Sequence, residues 1–424
     1  MARFRTAQVA GALAAVLTFA PGAFALEGQN PGDADDPTFS RATIYRQVEK
    51  LRVLGRRMFR DPALSASGKM SCASCHDPSR GFSPANAASV QLGGVDLDRP
   101  GLRAPPSLCY KQGAPPFSRH FYESEEESPG GGVDAGPTGG LTWDGRVDAA
   151  SQQALIPLFS PFEMANKNAS ALNALIEANY GATLRKALTD WMPQGPHPAL
   201  QAAVKALQIY QETPQEFFAY SSKYDAYLGG AAALSDQEKR GLDLFNDEKK
   251  GNCASCHISL APKTATRPRF TDDGLVALGL PRNREIAANA DPAFYDLGLC
   301  GPERTDLKDH PEYCGLFKAP TLRNVALRKA FFHNGVIHDL RGAVAFYVER
   351  DVKPEKWYPR RADGSIDKFD DLPPQYWDNV NMEPPFGGKP GDAPALNDAE
   401  IDDVVAFLET LTDGYISNPR IGRR

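Results

Sequence analysis

Three stretches of the chain place apolar residues at helical spacing. From Ile44 to Arg60, Tyr45, Val48, Leu51, Leu54 and Met58 share one face. Ser235-Asp-Gln-Glu238 is a capping box that opens a second amphipathic helix carrying Leu242, Leu244 and Phe245. Asn397-Asp-Ala-Glu400 opens a third, with Ile401, Val404, Val405, Leu408 and Leu411. Between them, Ala169 to Tyr227 has helical composition (Leu172, Leu175, Ile176, Leu184, Leu188, then Val204, Leu207, Ile209, Tyr210, Phe217) and no ligand-like cluster, so it reads as helices that finish a first domain and link it to a second. No run of residues alternates convincingly as strands. The 37 glycines and 35 prolines argue for long irregular connections, clearest near Pro129 to Gly140 and Pro384 to Pro394. The expected fold is mainly α.

The N-terminus changes this picture of a plain globular chain. Arg3 and Arg5 precede an apolar run from Val9 to Phe19, and Ala23-Phe24-Ala25 offers a small-residue cleavage site before Leu26. Residues 1–25 therefore read as a signal peptide leading, in a Gram-negative bacterium, to the periplasm; an uncleaved anchor is the competing reading. Pro21 interrupts the run, and no later stretch is long and apolar enough to span a bilayer. The formal charge is −6, and becomes about −8 without the two arginines. An acidic chain with no basic tail is a poor partner for nucleic acid.

Cysteine usage supplies the chemistry. Cys72-Ala-Ser-Cys75-His76 recurs as Cys253-Ala-Ser-Cys256-His257. In this pattern two thiols are spaced for thioether bonds to the haem vinyl groups, and the next histidine is placed to ligate the iron. A zinc knuckle would need a further ligand pair near each motif, and a redox dithiol needs no histidine. Two covalent c-type haems are therefore expected. With an amphipathic helix ahead of each motif and another at the end, the chain reads as two cytochrome c-like domains, 26–230 and 231–424, divided near Gly229-Gly230. Of the other cysteines, Cys300 and Cys314 flank a polar loop and read as a disulfide in an oxidising compartment. Cys109 is left as a single, buried thiol.

More specific blocks surround these motifs: Leu54-Gly-Arg-Arg-Met-Phe-Arg-Asp-Pro-Ala-Leu-Ser65, Trp143-Asp-Gly-Arg146, Lys318-Ala-Pro-Thr-Leu-Arg-Asn324 and Phe332-His-Asn-Gly335. Together they resemble the bacterial dihaem cytochrome c peroxidase and MauG superfamily, and most closely its MauG-like members, including the kind encoded with methanobactin. The resemblance covers most of the chain, but not clearly Gly113 to Gly140, with its acidic cluster Glu123 to Glu127, nor Asp351 to Pro394.

The resemblance implies that the first haem reacts with hydrogen peroxide, that the second stores or relays an oxidising equivalent, and that Trp143 lies between them. It places Gln153 and Glu163 over the distal face of the first haem, with Pro157 and Pro161 interrupting the helix between them so that the segment bends across the iron. A carboxyl group there can carry a proton between the peroxide oxygens. The second haem would take Tyr347 as its sixth ligand, because Tyr347 lies fourteen residues after His333, the interval at which MauG has tyrosine and the peroxidases methionine. A phenolate favours the higher oxidation states of iron, whereas a thioether favours Fe(II). Met382 and His338 are rival ligands, and core packing is the bland alternative for Trp143, Gln153, Glu163 and Tyr347 alike.

Departures from the family pattern carry their own expectations. Gly81 to Pro106 contains no histidine to cap the first iron, so that haem should be five-coordinate; His120 is the one substitute ahead of Trp143. Arg103-Ala-Pro-Pro-Ser107 has alanine where the family has an asparagine that binds interdomain calcium, which argues against calcium here, with backbone carbonyls near Arg328 and Ala330 as the remaining donors. A tryptophan that MauG has two positions before its second motif is Gly251 here, so an exit route for oxidising equivalents would have to use Trp191, Trp357 or Trp377.

The function expected from the resemblance is a periplasmic MauG-like enzyme that uses hydrogen peroxide to form high-valent iron and oxidises residues, tryptophan foremost, of a partner protein. Known members mature a tryptophan-derived cofactor in an amine dehydrogenase or oxidise a tryptophan of a copper-binding partner. The alternatives are a peroxidase fed by a small electron-donor protein, and a dihaem electron carrier without chemistry, which would protect both irons with strong sixth ligands.

Overall fold

The computed structural model describes residues 40–121, 134–259 and 267–416. The expected signal peptide and the acidic cluster Glu123 to Glu127 lie outside them. The described helices are α1 (Arg41–Met58), α2 (Cys72–Cys75), α3 (Ala150–Phe159), α4 (Ala169–Leu188), α5 (Pro198–Gln211), α6 (Pro214–Phe217), α7 (Lys223–Leu228), α8 (Asp236–Asn246), α9 (Leu340–Glu349), α10 (Pro354–Trp357) and α11 (Asp398–Glu409). Among the described residues, strands are confined to two short antiparallel pairs, β1 (Leu92–Gly93) with β2 (Arg99–Pro100), and β3 (Leu275–Val276) with β4 (Phe317–Lys318). The fold is mainly α, as expected. None of the described helices is long and apolar enough to cross a membrane.

Capping decides where the main helices begin. Ser235 and Asn397 form the expected capping boxes with Glu238 and Glu400. Asn168 caps α4 and Asp339 caps α9 through side-chain oxygens.

The same helix crossing occurs twice. Gly55 on α1 lies against α5, where a Cβ would come within 2.0 Å of the Ala206 carbonyl oxygen. Gly241 on α8 lies against α11, where it would come within 1.9 Å of the Asp403 oxygen. Only glycine allows the backbones to approach this closely. Four residues beyond each glycine, Phe59 meets Tyr210 of α5 (ring centroids 5.4 Å apart) and Phe245 meets Phe407 of α11 (5.2 Å). Each crossing seeds its own core, one running from Leu51 to Phe217 and the other from Tyr224 to Leu411.

Two expectations need correction. On α1 only the later part of the apolar face is buried (Leu51, Leu54, Met58), while Tyr45 is 73% and Val48 41% exposed. Periodicity had extended the core face beyond the crossing at Gly55. Pro157 does not interrupt α3, which continues to Phe159. At that position the ring costs one backbone bond in a helix about to end, and the Pro157 carbonyl instead accepts from Met164 N–H (2.9 Å). The bend comes after Phe159, ahead of Pro161.

Cys300 and Cys314 form a disulfide, with Cα atoms 5.0 Å apart. Cys109 is a buried free thiol close to the Gly81 carbonyl (3.4 Å).

Candidate active site: two histidines on one cavity

Both Cys-x-x-Cys-His segments fold as tight turns after a helix. In the first, the turn Cys72–Cys75 is closed by His76 N–H on the Cys72 carbonyl (2.9 Å). In the second, His257 N–H closes on the Cys253 carbonyl at the same distance, 2.9 Å.

Each histidine is then oriented by a carbonyl. His76 Nδ1 is 3.1 Å from the Phe82 oxygen, and His257 Nδ1 is 3.1 Å from the Phe270 oxygen. A carbonyl only accepts, so Nδ1 carries the proton and Nε2 keeps its lone pair. Phe82 (φ 53°) and Phe270 (φ 55°) both sit in the left-handed region, which turns their carbonyls toward the rings. Burial lowers both histidines to about 4, so each is a neutral imidazole near neutral pH.

One cavity of about 410 Å³ is lined by Cys75, His76, Cys253, Cys256 and His257. Burial pushes the Cys72, Cys75 and Cys253 thiols up to about 12, so none is a ready nucleophile. Thiol pairs beside a mostly apolar cavity, each followed by a neutral histidine oriented through Nδ1, fit a c-type haem in each half.

Glu163, Gln153, Trp143 and Tyr347 all line this cavity. Glu163 belongs to its first part, since after burial its charge is the largest influence raising Cys75. Its own pKa is raised by burial, opposed by a hydrogen bond with Ser160. The Glu163 main chain is fixed by Gly94 N–H donating to its carbonyl (2.8 Å). Tyr347 belongs to the second part: burial first, then Cys256 and Cys253, push its phenol far above the ordinary range. Its ring contacts Phe332, Phe346 and Phe386. Trp143 is buried and donates Nε1–H to the Ala104 carbonyl (2.7 Å).

The rival ligands lie elsewhere. Met382 is 46% exposed, with its sulfur beside Arg350 (3.3 Å). His338 sits near Ser89 (3.4 Å) and Glu285 (3.8 Å), and His120 is exposed beside Asp134 (2.5 Å). None of the three lines the cavity, whereas Met70, just ahead of Cys72, does. Of the candidate exit tryptophans, Trp357 reaches the second part through Phe346 (5.4 Å from Trp357, 6.4 Å from Tyr347). Trp377 packs on Phe369 instead, and Trp191 is 46% exposed.

A second duplication escaped the sequence reading. Leu141-Thr-Trp143-Asp-Gly-Arg-Val147 and Phe331-Phe-His333-Asn-Gly-Val-Ile337 form the same closed turn, bridged Leu141 to Val147 and Phe331 to Ile337, with Thr142 (φ 75°) and Phe332 (φ 65°) left-handed. Trp143 and His333 are thus counterparts, 6.5 Å apart at 71°. The signal available was the Asp-Gly and Asn-Gly pair behind each aromatic residue. His333 stacks on Phe317 (3.4 Å, 7°), its main-chain carbonyl accepts from Ala104 N–H (2.7 Å), and its Nε2 is buried without a partner.

Comparison with known proteins decides what this duplicated site is. Residues 49–233 match the family described as di-haem cytochrome c peroxidase. The methylamine utilization protein MauG of Paracoccus denitrificans is 33% identical over 379 residues, which cover 86% of this chain and 89% of that protein. The chain belongs to the dihaem cytochrome c peroxidase and MauG family. The crystal structure of the dihaem peroxidase BthA from Burkholderia thailandensis superposes with a TM-score of 0.73 at 40% identity, covering 86% of both chains. A MauG-like protein associated with microbial copper homeostasis gives a TM-score of 0.58 at 26% identity, covering 86% of this chain and 90% of that one. The protein is therefore a haem-dependent oxidoreductase with two covalently bound c-type haems. Membership implies hydrogen peroxide as oxidant, and a protein as substrate or electron donor.

Proposed function

We propose that this is a MauG-like enzyme of the periplasm, in which peroxide is consumed in the first half and a partner protein is oxidised, at tryptophan foremost, through the second. The observation that carries the reading is the unlike equipment of one cavity: a half-buried carboxyl, Glu163, beside the first cysteine pair, and a phenol, Tyr347, beside the second. Cys72, Cys75 and His76 hold the first haem; Cys253, Cys256, His257 and Tyr347 hold the second. The haems supply reaction with peroxide and storage of its two oxidising equivalents.

The protein's own groups do the rest. The Glu163 carboxylate can take the proton from one peroxide oxygen and give it to the other, so that water can leave, and burial, which raises its pKa, favours the proton-bearing form between the two transfers. Gln153 offers an amide to orient the peroxide. Trp143 provides a buried aromatic ring between the two parts, its N–H held by Ala104. Burial makes the Tyr347 phenol resist ionisation, and as a ligand of the second haem it would supply a phenolate, a donor that favours oxidised iron. The partner returns two electrons one at a time, and the ring contacts through Phe346 favour Trp357 as the exit.

Two cytochrome c-like domains are supported by the separate cores, although Tyr224 and Tyr227 pack with the second core, which favours a boundary near residue 222 over the expected 230. The Ala330 carbonyl already accepts from Arg328 (3.0 Å), which favours an arrangement without calcium there.

The test is to add peroxide to the ferric holoprotein in the presence of proteins that co-purify with it, and to map oxidised residues by mass spectrometry. Oxidised tryptophan in one partner, absent without peroxide, is the expected result. Rapid turnover with a small donor cytochrome and no modified protein would replace this reading with that of a peroxidase.

A further inference from the structure

Seven cationic side chains line the cavity. Arg103, Arg146, Arg269, Lys318 and Arg323 each have a carboxylate partner. Lys111 and Arg328 have none among the described residues. Lys111 Nζ is buried without any hydrogen-bond partner, and Arg328 donates only to the carbonyls of Pro105 (3.2 Å) and Ala330 (3.0 Å). Burial lowers Lys111 to about 8 and Arg328 to about 10. Both charges act on His76, and neither is among the influences on His257. Glu212 acts on Lys111 only from beyond ion-pair distance, and a buried cation without an anion in contact is costly, so a counter-anion near the first histidine would be stabilising.

The turn that carries Lys111 does not need its charge. Lys111 follows left-handed Tyr110 (φ 59°) and opens the turn Lys111–Gly113; Val325 follows left-handed Asn324 (φ 62°) and opens the turn Val325–Leu327. Ahead of each turn, Ser107 Oγ accepts from Cys109 N–H (3.0 Å) as Thr321 Oγ1 accepts from Arg323 N–H (3.1 Å). The same turn therefore closes in the second half over a buried valine, and the lysine serves something in the cavity. Haem, the family's cofactor, brings two propionate carboxylates.

We propose that Lys111 Nζ and the Arg328 guanidinium bind the propionates of the first haem, and that by offsetting the propionate charge they make its iron easier to reduce than it would otherwise be. This rests on the reading that His76 serves that haem. The two charges position and tune the cofactor without touching peroxide, and Arg328 brings to the first haem a residue from the second half of the chain.

The test is a redox titration of the holoprotein in which the two haems are followed separately by absorption and electron paramagnetic resonance. A Cys72→Ala/Cys75→Ala variant identifies the signal that belongs to the first haem; if that variant retains two haems, the attachment reading itself fails. In Lys111→Met, the Fe(III)/Fe(II) ratio of the first haem at a fixed potential should rise about tenfold, as expected for loss of one partly screened positive charge beside the cofactor. Lys111→Arg should restore the wild-type ratio, and the second haem should not move in either variant. Lys111→Val, which carries the residue of the matching turn, and Arg328→Gln give the same readout should Lys111→Met fold poorly. An unmoved first haem, or an equal shift of both haems, would overturn the proposal.

Discussion

The two halves of this protein share a scaffold and differ in what faces the cavity. Each has a glycine-mediated helix crossing (Gly55, Gly241), a histidine held by a left-handed phenylalanine carbonyl (Phe82, Phe270), and a closed turn that presents an aromatic side chain (Trp143, His333). The first half adds Glu163 and the unpaired Lys111; the second offers Tyr347, and Val325 at the place of Lys111. At the next matched pair, the first half has the neutral thiol of Cys109, whereas Arg323 in the second is buried against Asp225 (2.6 Å). Across the turns, Asp144 is bound by Arg103 and Arg146, whereas Asn334 donates to Asp371 (3.0 Å). The lesson is that duplication conserves what holds a cofactor, while the side chains that bear on the iron's reactivity are free to diverge.

The largest expected break in the symmetry is kinetic. Glu163→Gln should slow the reaction with peroxide by about 10²–10⁴-fold, the range for loss of a general acid-base group, with both haems still attached. Stopped-flow mixing checks it, and wild-type rates would return Glu163 to a packing role.

The second is spectroscopic. The ferric wild type should show one high-spin and one low-spin haem by electron paramagnetic resonance, and Tyr347→Phe should alter only the low-spin signal. A signal lost in Met382→Leu and unchanged in Tyr347→Phe would reverse the assignment. Two low-spin haems in the untreated protein would mean that the first iron is capped, with Met70 the nearest suspect on the cavity wall.

A third prediction compares stabilities at the matched pair. Arg323→Met leaves the buried Asp225 carboxylate with only Ser222 and the more distant Arg267 (3.9 Å) and should cost about 3 kcal/mol. Cys109→Ala, which removes one small apolar group, should cost about 1 kcal/mol. Denaturant melts of both variants measure the difference, and similar losses would mean that Arg323 is no more than filler.

The smallest effect is on pH dependence. Burial raises Asp371 from 3.8 to about 7, against the opposing pull of Asn334 and Arg282. A carboxyl whose folded pKa is raised binds its proton more tightly in the folded state. Its contribution is complete below about pH 4 and is lost as pH rises toward 7, at roughly 1 kcal/mol per unit. Asp144 runs the other way: burial would raise it, but Arg103 and Arg146 hold it at about 2, so its contribution is lost only in acid. Asp371→Asn should flatten the fall in stability between about pH 4 and 7; an unchanged slope would show that another group controls it.

What the sequence determined by itself is whatever depends on short intervals along the chain. Cys-Ala-Ser-Cys-His, the capping boxes at Ser235 and Asn397, and the apolar spacing of α8 and α11 are local patterns, and their physical meaning does not need the rest of the molecule. Spacing together with family resemblance also named Glu163, Trp143 and Tyr347, and the fold brings all three to one cavity. Periodicity failed where tertiary contact decides: it could not show that the α1 face stops being buried before Tyr45, nor that Pro157 sits harmlessly in a final helical turn. The carbonyls that orient His76 and His257 were invisible because every residue has one, and only left-handed Phe82 and Phe270 aim these two. The charges of Lys111 and Arg328 were ordinary letters in an acidic chain. They acquire meaning only because folding buries them at a cavity wall without a carboxylate, and the cost of a lone buried charge is a property of its surroundings.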